Sequence, residues 1–334
     1  MRSEHTAGRA AGLAALDRVD HGSDATRAGY RHAAVSYRGL GGFADAIAPF
    51  LLDGLDLDEA VMVVVDRPRI DLLRTRLGNA ADRVRFTDID EAGRNPGRLI
   101  PLWREFAEKV RVEGRRSRGV GEPVSPHRSA AALVECQQHE RLLNAAIPPN
   151  ETLWLVCPYD AHALPPAVIR EAQASHPLMQ QDLRCAVSER YEGVPRTDAL
   201  LSAPLSAPPA GARTVDFSAT SIARVRRTAR IVADELGMAP TRRGDLAVAL
   251  HELGTNSVLH GGGSGTLLLW VEDDAVIGEV RDRGRITSAL LGRKKPDPAG
   301  SHGRGMWMVH QLCDLVQVRS DVDGSVVRIS MSVR

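Results

Sequence analysis

The chain is poor in aromatic residues, balanced in charge and sparing with cysteine, and each shortage closes off a class of function. Aromatic side chains make up 4% of its 334 residues, too few for the stacking platforms on which single-stranded nucleic acid lies. With 43 Lys and Arg against 42 Asp and Glu, the formal net charge is +1. No cationic excess is available to neutralise a nucleic-acid backbone or an anionic membrane surface. Almost every cation is arginine, which reads as genomic bias before function. No run approaches the roughly 18 consecutive apolar residues of a membrane span. Cys136, Cys157, Cys185 and Cys313 are scattered, with no C-x-x-C pair and no histidine at metal-ligand spacing. Neither a disulfide framework nor a structural zinc site is expected, and a reduced, cytoplasmic setting is. The G-x-x-x-x-G-K-[ST] phosphate loop is missing throughout.

The remaining composition, 43% hydrophobic and 25% charged, is that of a globular protein long enough for two cores. Residues 1–29 are Ala-, Arg- and Asp-rich without an apolar stretch, and read as a disordered leader. From 30 to 194, apolar strand-like runs (His32–Tyr37, Ala60–Val65, Arg83–Asp88, Ser117–Val120, Thr152–Cys157) alternate with helical patterns. Those patterns cover Gly42–Leu55, Pro68–Leu77, Asn95–Val112 and Ser129–Ala146. Val61–Val65 is continuously apolar, as in a strand covered on both faces. This rhythm predicts an α/β domain with a mostly parallel sheet. Residues 195–212, rich in Pro, Ala and Ser, read as a linker.

The segment 213–334 has another rhythm. A strand at Thr214–Phe217 leads to a helix with Ser218 as its expected N-cap, and Pro240 opens a second helix. Strands at Thr266–Glu272 and Ala275–Arg281, a helix at Gly305–Cys313 and strands at Leu315–Ser320 and Ser325–Val333 complete an α+β sandwich.

Chemistry concentrates on that second helix. Leu246, Ala249, Leu250 and Leu253 form its buried stripe. Glu252 and Asn256 stand one turn apart at the stripe's edge. A carboxylate beside an amide oxygen suits proton transfer and a metal–phosphate. Asp282-Arg-Gly284 follows a strand, placing a carboxylate where an exocyclic amine can donate to it. Gly303-Arg-Gly305 precedes an apolar helix beginning with Met306, whose free N–H groups suit phosphate. The basic segment between, with Arg293, Lys294 and Lys295, reads as a lid.

The order E-x-x-x-N, D-x-G, G-x-G before a helix, then a Gly-headed last strand resembles the Bergerat-fold (GHKL) ATPases. The ending Gly303-Arg-Gly-Met-Trp-Met-Val-His-Gln-Leu-Cys-Asp314 is similar to their anti-sigma serine kinase branch. By that resemblance Glu252 is the general base and Asn256 the Mg²⁺ ligand. Asp282 and Gly284 serve adenine, while Gly303, Gly305 and Met306 border the phosphates of ATP. Two departures stand out: Ile286 replaces a second glycine after Asp282, and Val326 or Val327 replaces a hydroxyl-bearing Thr. In Ser221–Arg230, Arg224 matches an arginine that in such kinases contacts a sigma factor or its antagonist, although a solvated face is the commoner meaning of such a run.

The N-terminal unit resembles the MEDS sensory domain through Tyr37-Arg-Gly39, Pro49-Phe50, Gly54-Leu55, Gly119–Pro123, Glu135–Glu140 with Leu142–Asn144, and Cys157–Asp160. The whole is like the RsbA-family anti-sigma regulators, with a RecA-like sensory sheet. The resemblance implies a cytoplasmic regulator that binds Mg-ATP, sequesters an RNA polymerase sigma factor and phosphorylates Ser or Thr of an anti-anti-sigma (STAS) partner. Homodimerisation through the first kinase helix is implied as well. His32, Glu122, Glu135, His139, Tyr159 and His176 are candidates for a small-molecule pocket at the carboxyl edge of the sheet. Two alternatives stand beside this reading: an ATP-binding anti-sigma factor without kinase activity, and a sensor histidine kinase with His139 as phosphoacceptor.

Overall fold

The computed structural model describes residues 29–181, 184–297 and 303–333. The expected leader at 1–29 therefore lies almost wholly outside the described residues. The chain divides into two compact units at Pro195/Arg196.

The first unit is an α/β domain. Its strands are β1 (Arg31–Tyr37), β2 (Ala60–Val65), β3 (Val84–Asp88), β4 (Ser117–Gly121), β5 (Leu153–Asp160), β6 (Leu178–Gln181) and β7 (Arg184–Val187). They form one sheet in the order β3-β2-β4-β5-β1-β6-β7. Every pairing is parallel except β6 with β7. That closing hairpin was not legible in the sequence. The helices are α1 (Gly39–Asp56), α2 (Arg67–Leu77), a four-residue α3 (Ile89–Ala92), α4 (Leu99–Val112), α5 (Ala130–Ala146) and α6 (Pro166–Ser175).

Local chemistry explains several boundaries. Asp66 caps α2 by accepting the Arg69 N–H at 3.0 Å, and Ser129 caps α5 by accepting that of Ala132 at 3.2 Å. Val61 through Val65 are buried, each such side chain contributing roughly 1.5–3 kcal/mol of apolar transfer. The Arg118 side chain is buried too, its charge met by Asp53 at 2.8 Å and by Glu59, and its guanidinium stacked 4.9 Å from the Phe50 and Trp154 ring centres.

The second unit is an antiparallel sheet with helices. Strands β8 (Arg213–Ser218), β9 (Ser264–Glu272), β10 (Ala275–Asp282), β11 (Leu315–Ser320) and β12 (Ser325–Ser332) run in the order β11-β12-β10-β9-β8. Helices α7 (Ala223–Glu235), α8 (Pro240–His260) and α9 (Arg304–Leu312) accompany it. Helix α8 is central, touching α7, α9, β9 and β10. It approaches β10 closely because Gly278 has no side chain: a Cβ there would stand 2.7 Å from Leu250 Cδ2. The Ser218 cap is corrected. Ser218 closes a turn with the Ser221 hydroxyl at 2.9 Å, and α7 begins only at Ala223, behind Ile222. Short Ser and Thr side chains compete for local backbone groups and postpone the helix.

The stretch composed like a linker lies partly against this unit. Leu201 is buried. Thr197 accepts the Ala289 N–H through its carbonyl at 3.3 Å, and the Ser206 carbonyl accepts Arg328 Nη2 at 2.6 Å. Arg328 in turn pairs with fully buried Glu279. None of the helices among the described residues is long and apolar enough to cross a membrane.

Candidate functional site

Helix α8 presents one polar edge to α9. Glu252 and Asn256 are both half-buried there, facing the first turn of α9. A Cβ on Gly305 would stand 2.8 Å from Glu252 Oε2 and 3.5 Å from Asn256 Oδ1, so only glycine lets the helix start come this near. Gly303, at φ +85°, turns the chain into α9 in the left-handed region that glycine adopts without strain. The first N–H groups of a helix have no acceptor within it, and at α9 they and the positive end of the helix dipole face the same space.

Asp282, at the end of β10, closes the other side. Its Oδ2 accepts the Ser257 hydroxyl at 2.6 Å, and its Oδ1 accepts the Gly284 N–H at 2.8 Å and the Ser325 hydroxyl at 2.7 Å. A carboxylate held by three donors on three segments is fixed in direction. Gly284 is close-packed as well, since a Cβ would lie 2.6 Å from the His260 carbonyl.

Between these groups lies a cavity of about 450 Å³ lined by Leu253, Asn256, Asp282, Gly284, Gly303, Gly305 and Met306, among others. Ligand pockets run from roughly 300 Å³ upward, mostly apolar with a few convergent polar groups. All seven residues expected at the site thus come together, Glu252 as a neighbour of Gly305 and the other six as lining. The donor set fits a metal-bound nucleotide: a carboxylate for an amine, an amide oxygen for a hard cation, and backbone N–H groups for phosphate.

Both departures find local answers. Ile286, in place of a glycine, donates its N–H to the Ser320 hydroxyl at 3.0 Å. The hydroxyl missing at 326 and 327 is supplied one residue earlier by Ser325, which the β10–β12 register sets opposite Asp282. Ser257 and Ser325 were missed by sequence reasoning, although Ser257 directly follows Asn256. In the expected lid, Lys294 lines the cavity whereas Arg293 is buried. Burial and the nearby Arg293 charge push fully buried His310 on α9 down to about 3. Residues 298–302 lie outside the described residues. Arg224 is exposed, donating to the Asp216 carbonyl at 3.4 Å.

In the first unit the six candidate pocket residues do not share one pocket. Glu122, just past β4, accepts the Tyr37 hydroxyl and pairs with Arg69 at 2.6 Å. Burial foremost lifts its carboxyl to about 8. His32, near the start rather than the carboxyl end of β1, meets His176 instead, their ring centres 4.1 Å apart. Tyr159 stands edge-on to His176 at 5.6 Å. Helix α5 turns inward, burying Glu135, His139 and Glu140.

The antiparallel sheet and helices of the second unit give a fold of Bergerat (GHKL) type. Family comparison agrees: residues 215–331 match the histidine kinase-like ATPase domain, and residues 31–177 match MEDS, the methanogen/methylotroph, DcmR sensory domain. The chain therefore carries a MEDS domain followed by a histidine kinase-like ATPase domain. No curated protein matches it. Among solved structures, it is similar to the RsbU and RsbW domains of Rv1364c from Mycobacterium tuberculosis, at 17% identity and a TM-score of 0.28. That match covers 36% of this chain and 32% of the other. The Acinetobacter baumannii histidine kinase AdeS matches at 15% identity and a TM-score of 0.23, over 36% of this chain and 68% of that one.

Proposed function

We propose that the protein is a cytoplasmic anti-sigma regulator whose C-terminal unit binds Mg-ATP and phosphorylates a serine or threonine of an anti-anti-sigma (STAS) partner, under control of the sensory unit. Residues 30–194 are the sensory part, 195–212 the connection and 213–334 the kinase. The observation that carries this reading is the approach of Glu252 and Asn256 to Gly305 across a cavity closed by Asp282.

In the reaction, Glu252 draws the proton from the attacking hydroxyl as its oxygen bonds to the terminal phosphorus and the bond to the bridging oxygen breaks, releasing ADP. Asn256 would hold Mg²⁺ through its amide oxygen, and the ion would supply positive charge against the phosphates. Asp282 accepts from the adenine amine, its direction set by Ser257, Gly284 and Ser325. The turn Gly303–Met306 donates N–H groups to phosphate oxygens, so most of the rate comes from positioning and charge neutralisation. The exposed side of α7 carrying Arg224 is the face proposed for the sigma factor.

Labelled ATP incubated with the protein and a cognate STAS partner tests this directly. Label moves to the partner with the native chain and not with Glu252→Ala. Equal transfer by that variant removes Glu252 from the mechanism. ATP and sigma binding without transfer to a correct partner would instead establish a binding-only anti-sigma factor. The histidine kinase alternative is disfavoured by His139, which is 1% exposed and out of reach of a phosphoryl donor.

A further inference from the structure

A second chemically distinctive cluster lies inside the sensory unit. His32 on β1, Glu140 on α5, Cys157 on β5 and His176 after α6 are all buried, and one ligand atom from each lies within 4.8 Å of the others. Glu140 Oε2 stands 3.1 Å from His32 Nε2, 3.4 Å from His176 Nε2 and 3.3 Å from Cys157 Sγ. His32 Nε2 and Cys157 Sγ are 3.4 Å apart. Four donors bound to one zinc ion at roughly 2.0–2.3 Å stand roughly 3.3–3.8 Å from one another in a tetrahedron. Those four separations, 3.1–3.4 Å, fall at or just below that edge length, and the remaining two pairs lie within 4.8 Å.

The outer partners determine which atoms remain. Asn144 Nδ2 donates to the Ser175 carbonyl at 2.7 Å, which leaves its Oδ1 to accept from His32 Nδ1 at 3.0 Å. His176 Nδ1 faces the Ala172 carbonyl at 2.9 Å and so donates as well. When either ring is neutral, its proton is thereby placed on Nδ1 and its lone pair on Nε2. The His32 Nε2 lone pair then faces Glu140 Oε2, while His176 Nε2, 3.4 Å from the same oxygen, has no hydrogen-bond partner. An acceptor facing an acceptor and an orphaned ring nitrogen in a dry interior are costly unless a proton or a metal cation stands among them. Glu140 Oε1 has no hydrogen-bond partner either. A divalent ion with one carboxylate, one thiolate and two neutral imidazoles sums to zero charge.

We propose that His32, Glu140, Cys157 and His176 form a closed, four-ligand site for zinc or a similar borderline divalent metal ion in the sensory unit. Asn144 and the Ala172 carbonyl orient the two imidazoles, as carboxylates and carbonyls do around zinc-bound histidine elsewhere. With every position supplied by protein, the ion ties β1, α5, β5 and the chain after α6 together rather than activating a water. The spacing of cysteines and histidines along the chain gives no hint of it, because the ligands come from four separate segments.

The test uses the full-length protein, stripped with chelator and titrated with Co²⁺ and Zn²⁺ alone. Stoichiometric cobalt uptake, with a tetrahedral visible spectrum and a thiolate-to-cobalt absorption band, is expected. Cys157→Ser removes the thiolate band, while Cys136→Ser, which alters another buried cysteine of the same unit, keeps it. Asn144→Ala, outside the ligand set, weakens Zn²⁺ about 10–100-fold. A folded native chain that takes up no metal overturns the proposal. So does a cobalt spectrum unchanged by both Cys157→Ser and His32→Ala. The spectrum comes from native protein, so a variant that fails to fold does not blunt the result.

Discussion

The Ser257 hydroxyl donates to Asp282 Oδ2 at 2.6 Å, joining the last turn of α8 to the tip of β10. Through this bond the helix carrying Glu252 and Asn256 also fixes the carboxylate at the opposite wall of the cavity. The two ends of the site are set by one element.

Removing that bond should therefore loosen adenine recognition without touching the proton-transfer end. Ser257→Ala is expected to weaken ATP binding about 10-fold, since a hydrogen bond to a charged group is worth roughly 1.5–3 kcal/mol. Ser325→Ala should behave alike, and the double variant should lose more than either. Calorimetric titration with Mg-ATP measures this; equal affinity in the double variant would show that Asp282 needs no such support.

Gly305→Ala probes the crowded side. Its methyl group would meet Glu252 Oε2 at 2.8 Å, forcing the carboxylate or the α9 turn aside. Phosphoryl transfer should fall by about 100-fold or more, because a misplacement of 1 Å near the reacting atoms has that scale of effect. Single-turnover transfer at saturating ATP separates this from weaker binding. An unimpaired rate would mean that Glu252 and the glycine turn do not act together.

Acid should weaken the second unit through His310. Burial holds its folded pKa near 3, while the unfolded chain takes up the proton near 6.5. Between those values the unfolded state binds more protons, so the stability present above 6.5 is lost as pH falls toward 3. The loss from this group is roughly 2 kcal/mol between pH 7 and 5. His310→Gln should flatten that part of the urea-unfolding profile. Parallel pH profiles for both proteins would refute the assignment.

The stretch before β8 touches the same cavity wall. Thr197 Oγ1 lies 3.3 Å from Ser288 Oγ, and Ser288 lines the cavity. Thr197→Ala combined with Leu201→Ala should raise amide exchange across residues 286–294 and lower ATP affinity several-fold. Unchanged exchange there would show that this stretch does not hold the cavity wall.

Much of this architecture was legible in the sequence because the signals were local. The continuous valines of β2 and the stripe of α8 follow directly from periodicity, and the four nucleotide motifs needed only their order. What stayed hidden was made by tertiary approach. Ser325 became a partner of Asp282 only through antiparallel register, and His32 met Glu140, Cys157 and His176 only through parallel pairing and the inward turn of α5. The hairpin β6–β7 is too short to show a period. Ser218 looked like a helix cap, but a local hydroxyl turn took its place.

The central claim is that Glu252, Asn256, Asp282 and the Gly303–Met306 turn form one site for Mg-ATP. Isothermal titration of the full-length protein with ATP, with and without Mg²⁺, tests it most directly when native chain, Asp282→Asn and Asn256→Ala are run side by side. The account predicts magnesium-dependent binding to the native chain, at least tenfold weaker binding to Asp282→Asn, and loss of the magnesium dependence in Asn256→Ala. Magnesium-independent binding that both substitutions leave unchanged would contradict it.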